Sequence, residues 1–201
     1  MFSRLFKQCT GKLSVAPRLR PERDTIFALA KLQLDYANPV HSRILNTIYV
    51  ELTNSNNVHW ETIGFQSPNP QTDLRAAGML GLLQILYYID MYPDSLVAFY
   101  KISTNKVTEF PFAVSLLGWT AFALTSLREG RLSSIINQKG SVIDVFNAFY
   151  CSCFWFFMQD WCENKMNIQM YGQHFNYCKG YCRTHIKQVM KRFLSTNTSQ
   201  T

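Results

Sequence analysis

The sequence has 201 residues, of which 47% are hydrophobic and 16% are charged, and its formal net charge is +7. A chain of this length and hydrophobicity can bury a substantial core, which excludes an intrinsically disordered protein. The positive charge favours an acidic partner. The basic residues are not interleaved with aromatic residues as in nucleic-acid-binding motifs, so we do not expect nucleic acid to be that partner.

The N-terminal segment 1–21 is basic and contains no acidic residue. We interpret it as a basic tail, with a mitochondrial presequence as the alternative, because presequences share this composition. It has no apolar run typical of a secretory signal peptide, so we expect a cytoplasmic protein with reduced cysteines, and mitochondrial association is the alternative location. A polar tail is predicted over 195–201. Basic residues near both ends would allow peripheral contact with an anionic membrane.

Apolar residues recur at helical spacing along most of the chain, and Gly and Pro separate these stretches. The predicted helices cover residues 22–36, 41–53, 73–91, 95–101, 112–128, 142–164 and 172–193. Two uncharged stretches, 110–127 and 145–159, are interpreted as buried core helices. The first contains several polar residues, and the second is shorter than the ~20 residues that a bilayer requires. Strand-like alternation is absent over any useful length, so the sequence predicts a single all-α domain over 22–194.

The stretch 54–72 is polar and rich in helix breakers, but it also contains Trp60 and Phe65. Large apolar residues in a segment of this kind predict a loop that is anchored to the core. We therefore interpret Trp60 and Phe65 as anchors of the loop rather than as contacts for a partner.

The helix predicted over 73–91 has two unusual features. Gly78 and Gly81 lie on its apolar face, and because glycine costs about 1 kcal/mol in a helix, we expect another helix to approach closely there. Thr72 or Asp73 is a suitable N-cap, which places Arg75 in the first turn. A cation is mildly unfavourable at this positive end unless an anion is to be bound. The alternatives are a surface arginine paired with Asp73 and a side chain that extends along the surface to water.

Residues 60–88 read WETIGFQSPNPQTDLRAAGMLGLLQILYY. This segment resembles the signature of the ELMO (engulfment and cell motility) domain, W-x3-G-F-Q-x3-P-x-T-D-x-R-G-x-G-x3-L-x2-L-x-Y-F. The matching structural positions are Trp60, Gly64, Phe65, Pro70, Gly78, Leu82 and Tyr87. The chain departs from the signature at Ala76 for Gly, Ile85 for Leu and Tyr88 for Phe. Weaker similarity to ELMO domains extends to 109–112 and 145–150.

The resemblance implies a multi-helix ELMO-type fold. Short ELMO proteins activate GTP hydrolysis by Arf and Arf-like GTPases and require the arginine of the T-D-x-R segment, whereas longer ELMO proteins lack it and work with Dock exchange factors. Because this chain keeps that arginine as Arg75, we expect a GTPase-activating protein that supplies Arg75 in trans. Gln66, Thr72 and Asp73 are the expected supporting or partner-binding residues. The alternative, which Ala76 leaves open, is a non-catalytic helical module that docks a GTPase or a scaffold.

The roles of the supporting residues are less specific in the sequence. We expect Asp73 to cap the helix, with orientation of Arg75 as the alternative, and Gln66 to fix the loop by a hydrogen bond, with positioning of water as the alternative. No cofactor is expected, because GTP and Mg²⁺ would be held by the partner and Gly11-Lys12-Leu13 does not complete a phosphate-binding loop.

No metal site and no separate hydrolase site are predicted. His174, Cys178, Cys182 and His185 suggest zinc ligands, but on one helix the outer pair would lie about 16 Å apart, too far for a single ion. Cys151 and Cys153 are interpreted as small buried residues. His41 and His59 lie in separate predicted elements without an adjacent nucleophile motif.

Overall fold

The computed structural model describes residues 14–197, and these residues form helices joined by loops, with no β-strand among them. The nine α-helices of this region are α1 Arg20–Lys31, α2 Pro39–Thr53, α3 Gly78–Met91, α4 Pro93–Ser103, α5 Phe112–Arg128, α6 Ser133–Lys139, α7 Val142–Glu163, α8 Tyr171–Thr184 and α9 Ile186–Asn197. Short 3₁₀ turns lie at Pro17–Leu19, Trp60–Ile63, Pro70–Thr72, Leu74–Ala76 and Ile168–Met170. The predicted all-α fold class is confirmed.

Helix α7 is the central element of the core. It contacts α1, α3, α5, α6, α8 and α9, and its aromatic residues, including Phe149, Phe154, Phe157 and Trp161, are fully buried. By length and composition α7 would be able to cross a membrane, but 72% of its most apolar window is buried inside the structure. Its hydrophobicity is therefore accounted for by packing against other helices, as expected for the stretch 145–159.

The N-terminus of α7 is capped from two directions. The Ser141 hydroxyl accepts a hydrogen bond from the backbone N–H of Asp144. The carboxylate of Glu22, on α1, accepts hydrogen bonds from the N–H groups of Val142 and Ile143 at 2.9 and 2.8 Å. An anion at this position is favourable because the first turn of a helix leaves N–H groups unpaired and carries partial positive charge. Glu22 thus joins the first helix to the central one.

Several predicted boundaries were wrong. The first helix ends at Lys31 rather than at 36, since Leu32 is extended (φ −70°, ψ 120°). The helix predicted over 172–193 is interrupted at His185, which lies outside helical geometry (φ −117°, ψ 35°) between α8 and α9. Helix α6 was missed, because a seven-residue polar segment gives little periodic signal.

The folded region also extends beyond the predicted domain of 22–194. Val15 and Leu19 are buried in the core, and α9 continues to Asn197. Most of the predicted basic tail, including Cys9 and the Gly11-Lys12-Leu13 segment, lies outside the described residues, as do residues 198–201.

Candidate functional site

The loop that precedes α3 is anchored by aromatic residues. Phe65 is buried, and the partly buried ring of Trp60 contacts the rings of Tyr49 and Phe65 edge-on, with centroids 5.5 and 6.2 Å apart. Gly64 has a left-handed backbone (φ 88°), and a Cβ there would lie 2.3 Å from the Phe112 nitrogen. These ring contacts hold the loop against the core, and Gly64 allows the loop to approach α5.

A single turn carries the chain from the anchored segment towards Arg75. Pro70 is buried at the start of this turn. The Asn69 side chain accepts a hydrogen bond from the Gln71 N–H at 3.1 Å, and the Thr72 hydroxyl donates to the Asn69 carbonyl at 2.9 Å. These local bonds fix the backbone of Thr72, whose carbonyl oxygen then becomes a contact for Arg75.

Asp73 joins the two ends of this loop. Its Oδ2 accepts a hydrogen bond from the backbone N–H of Gln66 at 2.8 Å, and it makes no capping hydrogen bond to the turn that follows it. The prediction that Asp73 caps a helix is therefore wrong. The loop is indeed fixed by a hydrogen bond at Gln66, through the backbone, while the Gln66 side chain is exposed.

Helix α3 begins at Gly78, three residues after Arg75. The backbone of Gly78 is left-handed (φ 52°), and a Cβ at this position would lie 2.5 Å from the Ala30 carbonyl oxygen. Next to it, the Met79 N–H donates to the Leu32 carbonyl at 2.8 Å. The helix thus begins at Gly78, and Arg75 lies in the 3₁₀ turn Leu74–Ala76 rather than in the first turn of the helix. The interpretation that placed Arg75 in that first turn is corrected, whereas the close approach expected at Gly81 is found, because a Cβ there would lie 2.4 Å from the Leu117 side chain on α5.

The Arg75 side chain is exposed and held at its base. Its Nε donates a hydrogen bond to the Thr72 carbonyl at 2.9 Å. Within residues 14–197 its Nη groups have no hydrogen-bond partner, and the alternative ion pair with Asp73 is not formed. The terminal donors of the guanidinium therefore face solvent.

Arg75 lines a groove between α1 and the loop, with a volume of about 380 Å³. This Arg75 groove is lined by Ala30, Lys31, Gln33, Leu34, Gln71, Leu74, Arg75 and Gly78. Two cations and no carboxylate are among these residues, so the local field favours an anion. The sequence motif did not identify Lys31, because it belongs to α1 and is brought to the groove by the packing of α1 on α3.

The remaining motif residues serve the core or its edge. Leu82 is fully buried. Partial burial, together with the neighbouring Cys151 and Tyr92, raises the pKa of Tyr87 to about 12, so this side chain is a neutral phenol at neutral pH. Ala76 is exposed and is not among the described non-glycine residues with positive φ, so an alanine is accommodated there without backbone strain.

The four residues considered as zinc ligands do not converge as a set. His174 and Cys178 do approach each other, and their third neighbour is Asp160 on α7. The His185 ring instead stacks on Tyr181, with centroids 4.3 Å apart. The spacing of His174 and Cys178 was visible in the sequence, but the partner on α7 was not.

The fold and this site define an all-helical domain that presents an exposed arginine from a loop fixed to its core. The sequence profile of the ELMO/CED-12 family matches residues 24–175. The chain therefore belongs to the ELMO/CED-12 family.

Its relatives include ELMO domain-containing protein 3 of Mus musculus, 40% identical over 158 residues, which are 75% of this chain and 42% of the relative. The Homo sapiens protein of the same name is 38% identical over 170 residues, 81% of this chain and 45% of the relative. ELMO domain-containing protein 2 of Mus musculus is 27% identical over 150 residues, 70% of this chain and 51% of the relative. The chain thus spans less than half the length of the first two relatives. No solved structure shows significant similarity to it.

Proposed function

We propose that this domain is a GTPase-activating protein for an Arf or Arf-like GTPase and that Arg75 is its catalytic residue, acting in trans. The observation that carries the proposal is the exposed guanidinium, fixed at Nε and open at its Nη groups. Family membership supports the same proposal.

The chemistry requires a cation rather than a nucleotide site of the domain's own. When water attacks the γ-phosphate, negative charge develops on the oxygens around the transferred group. An arginine from a partner stabilises that charge and raises the rate of hydrolysis by about 10³–10⁵-fold. Guanidinium suits this role because it is always charged and offers donors in a planar fork. GTP and Mg²⁺ would be bound by the partner GTPase.

The loop supplies the rigidity that the proposal needs. The bond from Arg75 Nε to the Thr72 carbonyl restrains the side chain, and the bond from the Gln66 N–H to Asp73 restrains the backbone beneath it. A restrained arginine loses less conformational entropy when it enters a nucleotide site. Asp73 is then a positioning residue, and Lys31 adds positive charge at the same groove.

A non-catalytic docking module is the second candidate. It is favoured by the exposed methyl group of Ala76, beside Arg75, where the family signature has glycine. In that case the same groove would bind a GTPase without accelerating hydrolysis. Cytoplasmic location and membrane contact through the basic tails stay predictions.

Single-turnover GTP hydrolysis by a panel of Arf-family GTPases tests the proposal. Arg75→Lys keeps the charge but loses the fork, so we expect activation to fall by about 10²-fold or more. Arg192→Lys, on the exposed side of α9, is the matched control and should activate like the wild type.

Binding to the GTP-loaded GTPase is measured in parallel to separate the two candidates. Equal activation by the wild type and Arg75→Lys would overturn the catalytic role. Binding without any activation by the wild type would favour the docking module.

A further inference from the structure

A second cluster of reactive side chains lies where the last turn of α7 faces α8. His174 and Cys178 are one helical turn apart on α8 and therefore lie on the same face. Asp160, from α7, completes the cluster: its Oδ2 is 2.8 Å from His174 Nε2, and Cys178 Sγ is 3.5 Å from the same nitrogen. The three donor atoms all lie within 4.8 Å of one another.

We propose that Asp160, His174 and Cys178 form a binding site for a divalent transition metal, with zinc as the preferred ion. This proposal does not depend on the function of Arg75, since the cluster shares no residue with the Arg75 groove.

The separation of the His174 and Cys178 donor atoms suits a tetrahedral ion. Zinc lies about 2.0 Å from imidazole nitrogen or carboxylate oxygen and about 2.3 Å from sulfur, which places N and O ligands ~3.3 Å apart and N and S ligands ~3.6 Å apart. The observed N···S separation already has this value within 0.1 Å or so. Asp160 has to move away from His174 by about half an ångström and to lie ~3.6 Å from the Cys178 sulfur, starting from donor atoms that lie within 4.8 Å of one another. Its side chain is 18% exposed.

The donor set selects the kind of metal. Cys178 would lose its proton to solvent when the ion binds, and one thiolate, one imidazole and one carboxylate form a mixed set that zinc accepts readily, whereas Mg²⁺ and Ca²⁺ prefer oxygen ligands alone. His174 and Cys178 are buried, and the rings of Phe157 and Trp161 lie 4.9 and 5.3 Å from the imidazole centroid. With Asp160 on the solvent side, water would take the fourth position.

His174 Nδ1 limits the strength of the site. It is buried and has no hydrogen-bond partner among the described residues. Ligating histidines usually donate the other ring N–H to an acceptor, and loss of such a partner weakens metal affinity about 10–100-fold. We therefore expect the affinity for zinc to be below that of closed structural zinc sites. A bound ion would link the end of α7 to α8.

Titration of untagged, chelator-treated protein with Zn²⁺, and with Co²⁺ as a spectroscopic probe, tests the proposal. We expect one equivalent to bind, with the ligand-field bands of tetrahedral Co²⁺ and a thiolate-to-cobalt charge-transfer band. Cys178→Ser should remove the charge-transfer band, and Asp160→Asn should weaken binding by tenfold or more. Two control variants should bind the metal like the wild type: Cys162→Ser, which changes an exposed cysteine on the same helix as Asp160, and His185→Gln.

A wild-type measurement guards against variants that fail to fold. At free zinc a hundredfold above Kd, we expect Tm to rise by about 5–10 °C relative to chelator-treated protein. Absence of both the Tm shift and the cobalt bands would overturn the proposal and leave Asp160 and His174 as an interhelical hydrogen bond. Loss of the band in Cys162→Ser but not in Cys178→Ser would overturn it as well.

Discussion

At the scale of single residues, Asp73 links the two segments of the loop that presents Arg75. Its carboxylate accepts the Gln66 N–H, and a hydrogen bond to a charged group contributes about 1.5–3 kcal/mol. Neither the spacing nor the composition of the motif distinguishes this bond from a helix cap. The sequence places an acid two residues before Arg75, but only the folded loop shows which N–H it accepts.

Asp73→Ala should lower the free energy of unfolding by about 1.5–3 kcal/mol, because the Gln66 N–H loses its acceptor. If the proposed function holds, the maximal single-turnover rate should fall as well, since the turn that carries Arg75 loses a restraint. Urea unfolding and the hydrolysis assay measure the two effects. Asp73→Asn retains an acceptor oxygen and should restore most of both; an alanine variant as stable and as active as the wild type would contradict this role.

At the scale of elements, the boundary between the Arg75 turn and α3 depends on Gly78. Gly78→Ala would place a methyl group against the Ala30 carbonyl in a left-handed backbone. We expect a loss of stability of at least about 2 kcal/mol, from strain added to the steric conflict. Chemical denaturation measures it. Gly180→Ala is the control, because a Cβ there would meet no atom within 4 Å beyond its chain neighbours and the backbone of its own helix, and no positive φ is involved.

The helical elements were largely predictable, whereas the breaks between them were not. Apolar spacing located most of the helices, since buried faces repeat at the helical period. The end of α1 at Lys31 and the start of α3 at Gly78 depend on each other. Leu32 leaves helical geometry, and its carbonyl accepts a hydrogen bond from the Met79 N–H. A contact between residues so far apart in sequence has no local signal, and the same is true of Lys31 in the groove and of Asp160 beside His174.

The contact of α1 with α7 predicts a dependence of stability on pH. Partial burial acts to raise the pKa of Glu22, but hydrogen bonds from Val142, Ile143 and Ser141 outweigh it and hold the pKa below its ordinary value of 4.5. The unfolded state therefore binds this proton more readily than the folded state. The stabilisation is present above about pH 4.5 and is lost as the pH falls through the lower folded-state value.

Glu22→Gln should reduce the free energy of unfolding at neutral pH by about 1 kcal/mol, because a neutral amide is a weaker acceptor for the α7 terminus. The difference from the wild type should shrink on acidification below about pH 4.5. Denaturation at a series of pH values measures it, with Glu51→Gln as the control on exposed α2 surface. A difference that stays constant with pH would contradict the linkage.

At the scale of the whole molecule, α9 completes the core although the family profile ends at residue 175. Phe193 is fully buried, and its ring contacts those of Tyr88, Tyr92 and Trp155, with centroids 6.4, 4.9 and 6.1 Å apart. Tyr88 lies on α3, Tyr92 directly follows α3, and Trp155 lies on α7. The last helix thus covers the junction between the central helix and the helix that follows the Arg75 turn.

Phe193→Ala should cost about 3–5 kcal/mol, the usual range for removal of a fully buried aromatic ring. Gln188→Ala, on the exposed side of the same helix, should change stability by less than about 0.5 kcal/mol. A chain that ends after α8 would expose the face of α7 that α9 covers, and we expect it to lose cooperative unfolding in urea. If the proposed function holds, loss of α9 should remove GTPase activation together with the fold, because α7 also contacts α3, whereas Arg75→Lys should lower activation and leave the fold intact. If the shortened chain unfolded with the midpoint of the full one, the core would not require its last helix.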